Sequence, residues 1–183
     1  MIMTDLKPIM IESNFIYDSD CDEIIKAFQN YQGSDIRRFP QRTEAPAYSI
    51  PECNVLQRTI VAVRYAVSDY SGLKLDIEFP LLSEMREGDS HALHADAEKL
   101  VDGQWVPNHT PERIWTALVY LNTGDGVDFD GGEIIFPEFD CTIVPKAGLL
   151  VASPTTHEYI HEVPIVTNGV RYALPIWLKR LAE

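Results

Sequence analysis

The sequence has few cysteines, few basic residues and no long apolar run, and each shortage excludes a class of protein. Its three cysteines, Cys21, Cys53 and Cys141, stand far apart, and none belongs to a Cys-x-x-Cys pair. Neither a zinc ribbon nor a disulfide framework is indicated, so a reducing cytoplasm is the expected location. No apolar run approaches the ~20 residues of a membrane span. The first ten residues lack the basic and apolar segments of a signal peptide, so no membrane partner is expected.

The chain is strongly acidic. Fifteen basic residues against 28 acidic ones give a formal net charge of −13. Such a surface repels phosphate backbones, so nucleic acid is not an expected partner, and the charge is interpreted as a contribution to solubility. Hydrophobic content of 45% and charged content of 23% are ordinary for a globular protein. The length of 183 residues fits one domain, and no feature indicates an oligomeric state.

Two amphipathic helices are predicted in the N-terminal part of the chain. The first covers residues 18–31 and resembles a capping box that begins at Asp20. The second covers residues 55–70 and is stopped by Gly72. Residues 34–53, between the two helices, contain three prolines and are predicted to be irregular. The predicted helices share apolar side chains at helical spacing: Ile24, Ile25, Phe28, Leu56, Ile60, Val63 and Val67.

From about residue 75 onwards the pattern is that of short strands. Runs of β-branched and aromatic residues alternate with Gly, Pro and Asp breaks. Such short strands, with no helices between them, indicate a mainly β fold, either a sandwich or a jelly-roll barrel, with the helices against one face. The longest stretch without a predicted strand, residues 97–112, is a candidate lid or binding loop, or a passive excursion. Strands are predicted near residues 75–87, 91–96, 113–122, 133–136, 141–144, 148–152, 158–166 and 171–179.

A His-Ala-Asp triplet is the first candidate for chemistry. Alternate residues of a strand point to the same side, so His94 and Asp96 would project together, with His91 on the opposite face. His157 and His161, in a later predicted strand, each offer a third ligand. Two histidines and one carboxylate on one face of a metal form the facial triad of non-heme iron oxygenases. Alternation does not choose between the later histidines, and residues four apart on a strand lie about 13 Å apart, too far to share one metal.

Arg171 is the second candidate. It opens the strand RYALPIWL, which is otherwise almost wholly apolar, and alternation places it on one side with Ala173 and Trp177. A charged group at the start of a buried strand is costly unless it is paired. Two interpretations follow. Either Arg171 lies in solvent at the end of the strand, or its planar guanidinium binds the carboxylate of a small ligand with two hydrogen bonds.

Five segments of the C-terminal half resemble the catalytic core of prolyl 4-hydroxylase-type oxygenases. In chain order they are HALHAD, RIWTALVYLN, GGEIIFP, VPKAG and IHEVPIVTNGVRYALPIWL, within about residues 80–179. The resemblance is specific because the His-x-Asp pair, the Tyr-Leu-Asn strand end, the Gly-Gly-Glu turn and the Pro-Lys-x-Gly turn occur together. It implies a double-stranded β-helix, a jelly-roll barrel of about eight strands. We therefore expect a single oxygenase domain over residues 1–183, with helical support in 1–74 and a jelly-roll catalytic core in 75–183.

The resemblance also assigns roles to single positions. His94 and Asp96 become two of the iron ligands. His161 becomes the third, because it stands ten residues before Arg171, which is the family spacing. Arg171 would bind the far carboxylate of 2-oxoglutarate. Two residues of the neighbouring strand would hydrogen-bond the same carboxylate: Tyr120 and Thr116.

Three further residues are expected at the substrate pocket. Trp177 matches a family aromatic that lines the pocket, and its alternative role is plain core filling. Met85 stands nine residues before the first ligand, where members often carry a tyrosine. His157 would lie near the end of its strand, where it touches substrate or faces water.

The resemblance implies an iron(II)- and 2-oxoglutarate-dependent dioxygenase that hydroxylates a C–H bond, with ascorbate as a further candidate cofactor. Asp96 favours hydroxylation over halogenation, because halogenating relatives need a small residue there to admit halide. The expected substrate is a prolyl residue in a peptide or protein. The alternatives are a free amino acid or small metabolite as substrate, or a catalytically silent metal-binding jelly-roll that acts as a sensor. A non-catalytic β-sandwich with coincidental histidines is the remaining rival.

Overall fold

The computed structural model describes residues 9–50 and 53–182, which contain two α-helices and fourteen β-strands. The segment on which the expected absence of a signal peptide depends, and one proline of the predicted irregular stretch, lie outside these residues. The helices are α1 (Asp18–Asn30) and α2 (Asn54–Ser71). The strands are β1 (Met10–Glu12), β2 (Arg37–Arg38), β3 (Arg42–Pro46), β4 (Leu75–Arg86), β5 (His91–His94), β6 (Glu98–Val101), β7 (Gln104–Pro107), β8 (Arg113–Tyr120), β9 (Phe129–Gly131), β10 (Ile134–Phe136), β11 (Cys141–Ile143), β12 (Leu150–Pro154), β13 (His161–Val163) and β14 (Val166–Arg180).

Two antiparallel sheets form the double-stranded β-helix that the sequence predicts, and this fold is confirmed. The large sheet has the strand order β1-β12-β8-β14-β4-β3-β2, and β9 joins it through β14. The small sheet has the order β11-β10-β13-β5. The cluster that packs the sheets together includes residues of both: Tyr120, Ile134, Phe136, Ile143, Leu149, Val151 and Ala173.

Both helices cover the outer face of the large sheet. The buried apolar stripe of each helix belongs to the same core cluster as Val119, Leu174 and Ile176 of the sheet. Along β14, alternation therefore sends even-numbered side chains towards the helices and leaves the odd-numbered ones for the inside of the barrel. No helix in the described part of the chain is long and apolar enough to cross a membrane.

The predicted C-terminal end of α2 is confirmed, whereas the predicted N-terminal cap of α1 is wrong. α2 ends at Ser71, and Gly72 adopts a left-handed conformation (φ +72°) that ends helices without the strain of a side chain. α1 begins at Asp18 after Tyr17, and no side chain caps it. The predicted capping box at Asp20 is therefore wrong, because Asp20 already lies within the first turn, where its charge interacts favourably with the helix dipole.

Two segments predicted to be irregular contain strands. Between residues 34 and 50, Arg37–Arg38 form β2 and Arg42–Pro46 form β3. β3 pairs with β4 near the sheet edge, and Pro46 stands at the end of that strand, where a missing N–H is tolerated. Residues 97–112 contain the β6–β7 hairpin. Its turn residues, Asp102 and Gly103, both have positive φ values, 49° and 78°. This two-residue Asp-Gly loop is a strong hairpin signal that the sequence already carried.

Strand boundaries also differ near the predicted ligands. β5 ends at His94, so Asp96 lies in a bend after the strand. The predicted strand over 158–166 is divided into a 3₁₀ turn (His157–Tyr159) and β13. The last strand begins five residues earlier than predicted, at Val166.

Candidate functional site

A cavity lies inside the barrel, between the inner face of the large sheet and the small sheet. It contains about 620 Å³ of space, including its open mouth. Four alternate residues of β14 line it: Arg171, Ala173, Pro175 and Trp177. Because a strand rises about 3.4 Å per residue, this row extends about 20 Å along the cavity.

Three potential metal ligands converge on one wall of the cavity. His94 ends β5, Asp96 follows in the bend, and His161 begins β13 directly opposite His94. The ligand atoms of all three residues lie within 4.8 Å of one another. His94 Nε2 is 3.7 Å from one Asp96 oxygen and His161 Nε2 is 3.9 Å from the other. These separations bring two imidazoles and one carboxylate close enough for a single ion.

Backbone carbonyls orient both imidazoles. His94 Nδ1 lies 2.8 Å from the carbonyl oxygen of Ala92, and His161 Nδ1 lies 3.1 Å from that of Tyr159. Because a carbonyl oxygen can only accept, each Nδ1 must carry the proton and donate it. Each Nε2 is then left with a free lone pair on the side of Asp96, which is the tautomer that a metal requires.

The position of Asp96 is set by hydrogen bonds to its side chain and to its backbone. The Thr116 hydroxyl donates to Asp96 Oδ2 at 2.5 Å. The Asn108 amide and the Thr110 hydroxyl donate to the Asp96 carbonyl oxygen at 2.9 and 3.2 Å. Asp96 precedes the β6–β7 hairpin, whereas Asn108 and Thr110 follow it. The hairpin therefore brings the chain back to Asp96, and the two hydrogen bonds fix the bend there.

The pKa shifts of two of the three ligands favour the protonation states that bind a cation, whereas the contact with Asp96 raises the pKa of His94. Burial alone would raise the pKa of Asp96, but the contact with His94, the charge of His161 and the Thr116 hydroxyl together hold it well below its usual range. Burial lowers the pKa of His161, against an opposing effect of Asp96. At neutral pH the site therefore offers an anionic carboxylate and a neutral imidazole on β13.

Arg171 lies elsewhere in the cavity and is only 3% exposed. Its Nε donates to the Gly132 carbonyl oxygen at 2.9 Å, and its Nη1 lies 3.3 Å from the Met85 sulfur. Its Nη2 has no hydrogen-bond partner among the described residues, and neither has the buried hydroxyl of Tyr120. The guanidinium carbon is 5.1 Å from the centre of the Tyr120 ring.

No carboxylate forms an ion pair with Arg171 in the part of the chain that the structure describes. Burial lowers the pKa of Arg171, and the neighbouring Tyr120 opposes this effect. An unpaired buried cation is unfavourable by several kcal/mol, by order of magnitude. The arrangement is therefore one that an anionic ligand would stabilise.

Comparison with known proteins identifies the family to which the chain belongs. Residues 80–179, more than half of the chain, match the family model of the 2OG-Fe(II) oxygenase superfamily. The chain belongs to this superfamily. The expected family is thereby confirmed, and with it iron(II) and 2-oxoglutarate as the cofactor and cosubstrate of the family.

Individual relatives and solved structures extend the comparison. Prolyl 3-hydroxylase 2 of Gallus gallus is 38% identical over 104 residues, which are 51% of this chain and 14% of that protein. The chain thus corresponds to about one seventh of the length of that relative. The crystal structure of the viral collagen prolyl hydroxylase vCPH from Paramecium Bursaria Chlorella virus-1, in complex with 2OG, has a TM-score of 0.71 at 18% identity, over 98% of this chain and 99% of that one. A Trichoplax adhaerens prolyl hydroxylase in complex with a hypoxia inducible factor peptide fragment has a TM-score of 0.73 at 17% identity, over 94% and 84%.

The residues of this 2OG-Fe(II) oxygenase fit both groups of the family. The donor set of His94, Asp96 and His161 is the two-histidine, one-carboxylate set that non-heme iron(II) uses, with further positions left open. Within the described residues, Arg171 Nη2 and the Tyr120 hydroxyl are buried donors without an acceptor, which a carboxylate of 2-oxoglutarate could satisfy.

The other predicted site residues have separate positions. Trp177 lines the cavity rather than filling the core, with its ring stacked on Phe79 at 6.3 Å between centroids and the Arg113 guanidinium 4.2 Å from its centre. Met85 is fully buried in contact with Arg171 and is not among the lining residues.

Thr116 does line the cavity, but its hydroxyl is bonded to Asp96. The hydroxyl of Thr116 is thus in contact with a metal ligand, and its expected contact with the cosubstrate stays a prediction.

His157 does not line the cavity. It lies in the 3₁₀ turn, where its backbone N–H and its Nδ1 both contact Glu98 Oε2, at 2.6 and 2.8 Å, and its ring stacks on Trp105. It forms a second group with Glu98 and Glu158. Its contacts connect the β6–β7 hairpin to the segment before β13. Whether it touches substrate or faces water stays a prediction.

Sequence reasoning misplaced His91, which lines the cavity. Its register explains the error. His94 pairs with His161 and His91 pairs with Val163, so four residues of β5 lie opposite three residues of β13 through a bulge. A bulge interrupts strict alternation, and parity therefore fails as a guide to the face on which His91 lies. Glu44 also lines the cavity and was missed because β3 was not predicted.

Proposed function

We propose that this chain is an iron(II)- and 2-oxoglutarate-dependent dioxygenase that hydroxylates a prolyl residue in a peptide or protein. The observation that carries the proposal is one cavity with three convergent ligands on one wall and an unpaired buried arginine on another. Relatives named as prolyl 3-hydroxylases support the choice of a prolyl substrate. The Trichoplax adhaerens complex adds that a prolyl hydroxylase of this fold accommodates a peptide.

Each residue of the triad has a defined part in this function. His94 and His161 would hold iron(II) through Nε2, and Asp96 would supply the one anionic ligand, kept ionised by its neighbours. When bound, iron(II) and 2-oxoglutarate supply the oxidising chemistry, in which dioxygen is consumed, 2-oxoglutarate becomes succinate and carbon dioxide, and a substrate C–H bond becomes C–OH. Because the protein provides only three ligands, positions remain open for reactants.

Arg171 and Tyr120 would hold the cosubstrate. The guanidinium and the hydroxyl can both donate to the carboxylate that is remote from the metal. The buried positive charge of Arg171 would then gain the counter-charge that the described residues do not supply. The cosubstrate would thus be held at its far end by these two residues and directed towards the triad.

Part of the remaining wall of the cavity is apolar and suits an uncharged ring, beside the polar Glu44 and His91. Leu81, Leu118, Pro175 and Trp177 line it, and such side chains exclude water from the reacting groups. The Trp177 indole is held in place by Phe79 and Arg113. A pyrrolidine ring has the size and polarity that these walls would accept.

The experiment that tests this function measures succinate and the gain of one oxygen in the same reaction. The protein is incubated with iron(II), 2-oxoglutarate and a library of proline-containing peptides, with Asp96→Ala as the inactive control. We expect both products, and chromatography of the hydrolysed peptide then distinguishes 3-hydroxyproline from 4-hydroxyproline. Oxygen incorporation into free amino acids or small metabolites alone would contradict the prolyl substrate. The absence of succinate with every substrate would contradict the enzyme activity.

A further inference from the structure

The guanidinium of Arg171 is held by contacts that lie outside the proposed cosubstrate site. Nε donates to the Gly132 carbonyl oxygen at 2.9 Å and Nη1 contacts the Met85 sulfur at 3.3 Å. Only Nη2 lacks a partner within the described part of the chain. Two of the three nitrogens are therefore used to orient the group, and the third remains available to a ligand.

Gly132 contributes to this arrangement in a second way, through the absence of a side chain. A Cβ atom added at this position would lie 2.9 Å from Arg171 Cδ and 3.2 Å from a methyl group of Val166. Contacts this short require a neighbour to move. Arg171 Cδ has little freedom to do so, because it lies in the middle of a buried side chain whose Nε is hydrogen-bonded to the carbonyl of Gly132 itself.

The backbone conformation at Gly132 adds a further constraint. Its φ of +68° lies in the left-handed region, which glycine adopts at little cost. This conformation accompanies the carbonyl contact with Arg171, and the aliphatic part of Arg171 occupies the space beside Cα. The same residue thus supplies an acceptor for the arginine and room for its aliphatic chain.

We infer that Gly132 is a positioning residue for cosubstrate binding, acting through Arg171. The inference rests on the proposed function, since Arg171 must bind 2-oxoglutarate for its orientation to matter. Gly132 itself is not among the residues that line the cavity. It selects the orientation of Arg171 that leaves Nη2 without a partner among the described residues and holds the guanidinium carbon 5.1 Å from the centre of the Tyr120 ring. A side chain at position 132 would displace that orientation.

Gly132→Ala is the direct test, and Gly126→Ala is its matched control. Gly126 has a similar φ of +76°, but a Cβ there would meet only Asp130 Oδ1, at 3.4 Å. The two variants therefore carry similar backbone strain, and only one of them displaces Arg171. Calorimetry of 2-oxoglutarate binding to the iron(II)-loaded protein without oxygen should show affinity weakened about tenfold or more in Gly132→Ala. In Gly126→Ala the affinity should stay within about twofold of the unmodified protein.

A double-mutant comparison shows whether the effect passes through Arg171. In an Arg171→Ala background, Gly132→Ala should weaken 2-oxoglutarate binding no further, because the group that it displaces is absent. Thermal unfolding of the metal-free protein gives a second readout that needs neither cosubstrate nor turnover. Gly132→Ala should lower the melting temperature more in the Arg171 protein than in the Arg171→Ala protein, which lacks the Cδ atom that the new methyl group meets. The comparison of melting temperatures also tests the positioning role of Gly132 if the Gly132→Ala protein is too unstable for calorimetry.

Each result separates the inference from the proposed function. Equal 2-oxoglutarate affinities for Gly132→Ala and Gly126→Ala would overturn the positioning role and leave the proposed function intact. A melting-temperature loss that is the same in both backgrounds would also overturn it. Failure of the unmodified protein to bind 2-oxoglutarate would refute the proposed function and, with it, this inference.

Discussion

His94 and His161 face each other as a register pair across β5 and β13, with their ring centroids 4.5 Å apart. The two residues are far apart in the chain, and antiparallel pairing alone brings them together. Both rings have Nδ1 bonded to a backbone carbonyl two residues earlier in the chain. The pairing therefore sets the distance between the two imidazoles and the carbonyls set their orientation, before any metal is bound.

Thr116→Val should weaken iron(II) binding while leaving 2-oxoglutarate binding unchanged. The hydroxyl donates to Asp96 Oδ2, and loss of such a supporting hydrogen bond typically weakens metal affinity by about 10- to 100-fold. Thr116→Ser, which keeps the hydroxyl, is the matched control. Titration with iron(II) without oxygen measures the first constant, and calorimetry at saturating iron measures the second. The assignment fails if the valine variant loses affinity for 2-oxoglutarate alone.

Arg171→Ala should raise the concentration of 2-oxoglutarate required for activity far more than that of iron(II). A charge-assisted contact is worth about 1.5–3 kcal/mol, or roughly a ten- to hundredfold change in affinity. The metal ligands are not in contact with Arg171 in any hydrogen bond of the described residues, so iron affinity serves as the internal control. An unchanged apparent constant for 2-oxoglutarate would remove Arg171 from the site.

His161→Ala should abolish tight iron(II) binding, whereas His157→Ala should retain it. His161 Nε2 lies 3.9 Å from Asp96, while His157 is bonded to Glu98 and stacked on Trp105. Each variant is titrated with iron(II), and circular dichroism checks its fold. Loss of iron in the His157 variant combined with retention in the His161 variant would reverse the assignment.

His91 should make the metal-free protein less stable as the pH falls below about 6.5. Burial and the charges of Arg42, His94 and Arg171 lower the pKa of His91 from 6.5 to about 3, against an opposing effect of Asp89. Between these values the unfolded chain binds a proton that the folded protein rejects, so stability is lost on acidification. By pH 5 this loss is about 1–2 kcal/mol.

Urea unfolding at pH 7.5 and pH 5 measures this effect, with His91→Gln as the comparison. The glutamine variant keeps a polar side chain of similar size but does not titrate. We expect the stability difference between the two pH values to be smaller in His91→Gln than in the unmodified protein. Equal differences in the two proteins would show that His91 is not held neutral in the cavity.

Local sequence patterns were sufficient for the parts of the fold that depend on neighbours in the chain. The apolar spacing of α2 and the glycine after it predicted the helix to within one residue at each end. Alternation along β14 correctly placed Arg171 on the same side as Ala173 and Trp177. The Asp102-Gly103 hairpin was also available from the sequence, since both residues adopt the positive φ that such a pair favours.

Other features depended on which strands pair and in what register. The bulge between β5 and β13 brings His91 into the cavity against its parity, and a bulge on a short strand depends on the partner strand. The hydrogen bond from Thr116 to Asp96 depends on the bend after β5, in which Asp96 lies. Asn108 and Thr110, which follow the β6–β7 hairpin, hold this bend in place.

The sequence by itself determined the family, the helices, most of the strands and the residue types that a metal and a carboxylate require. The family spacing already implied His161 rather than His157 as the third ligand. Only the tertiary structure showed that His161 faces Asp96, that the Thr116 hydroxyl contacts Asp96, and that Gly132 contacts Arg171. The physical reason is that these relationships join residues distant in sequence. Periodicity reports which side of its own element a residue occupies, whereas cross-strand register determines which residue lies opposite.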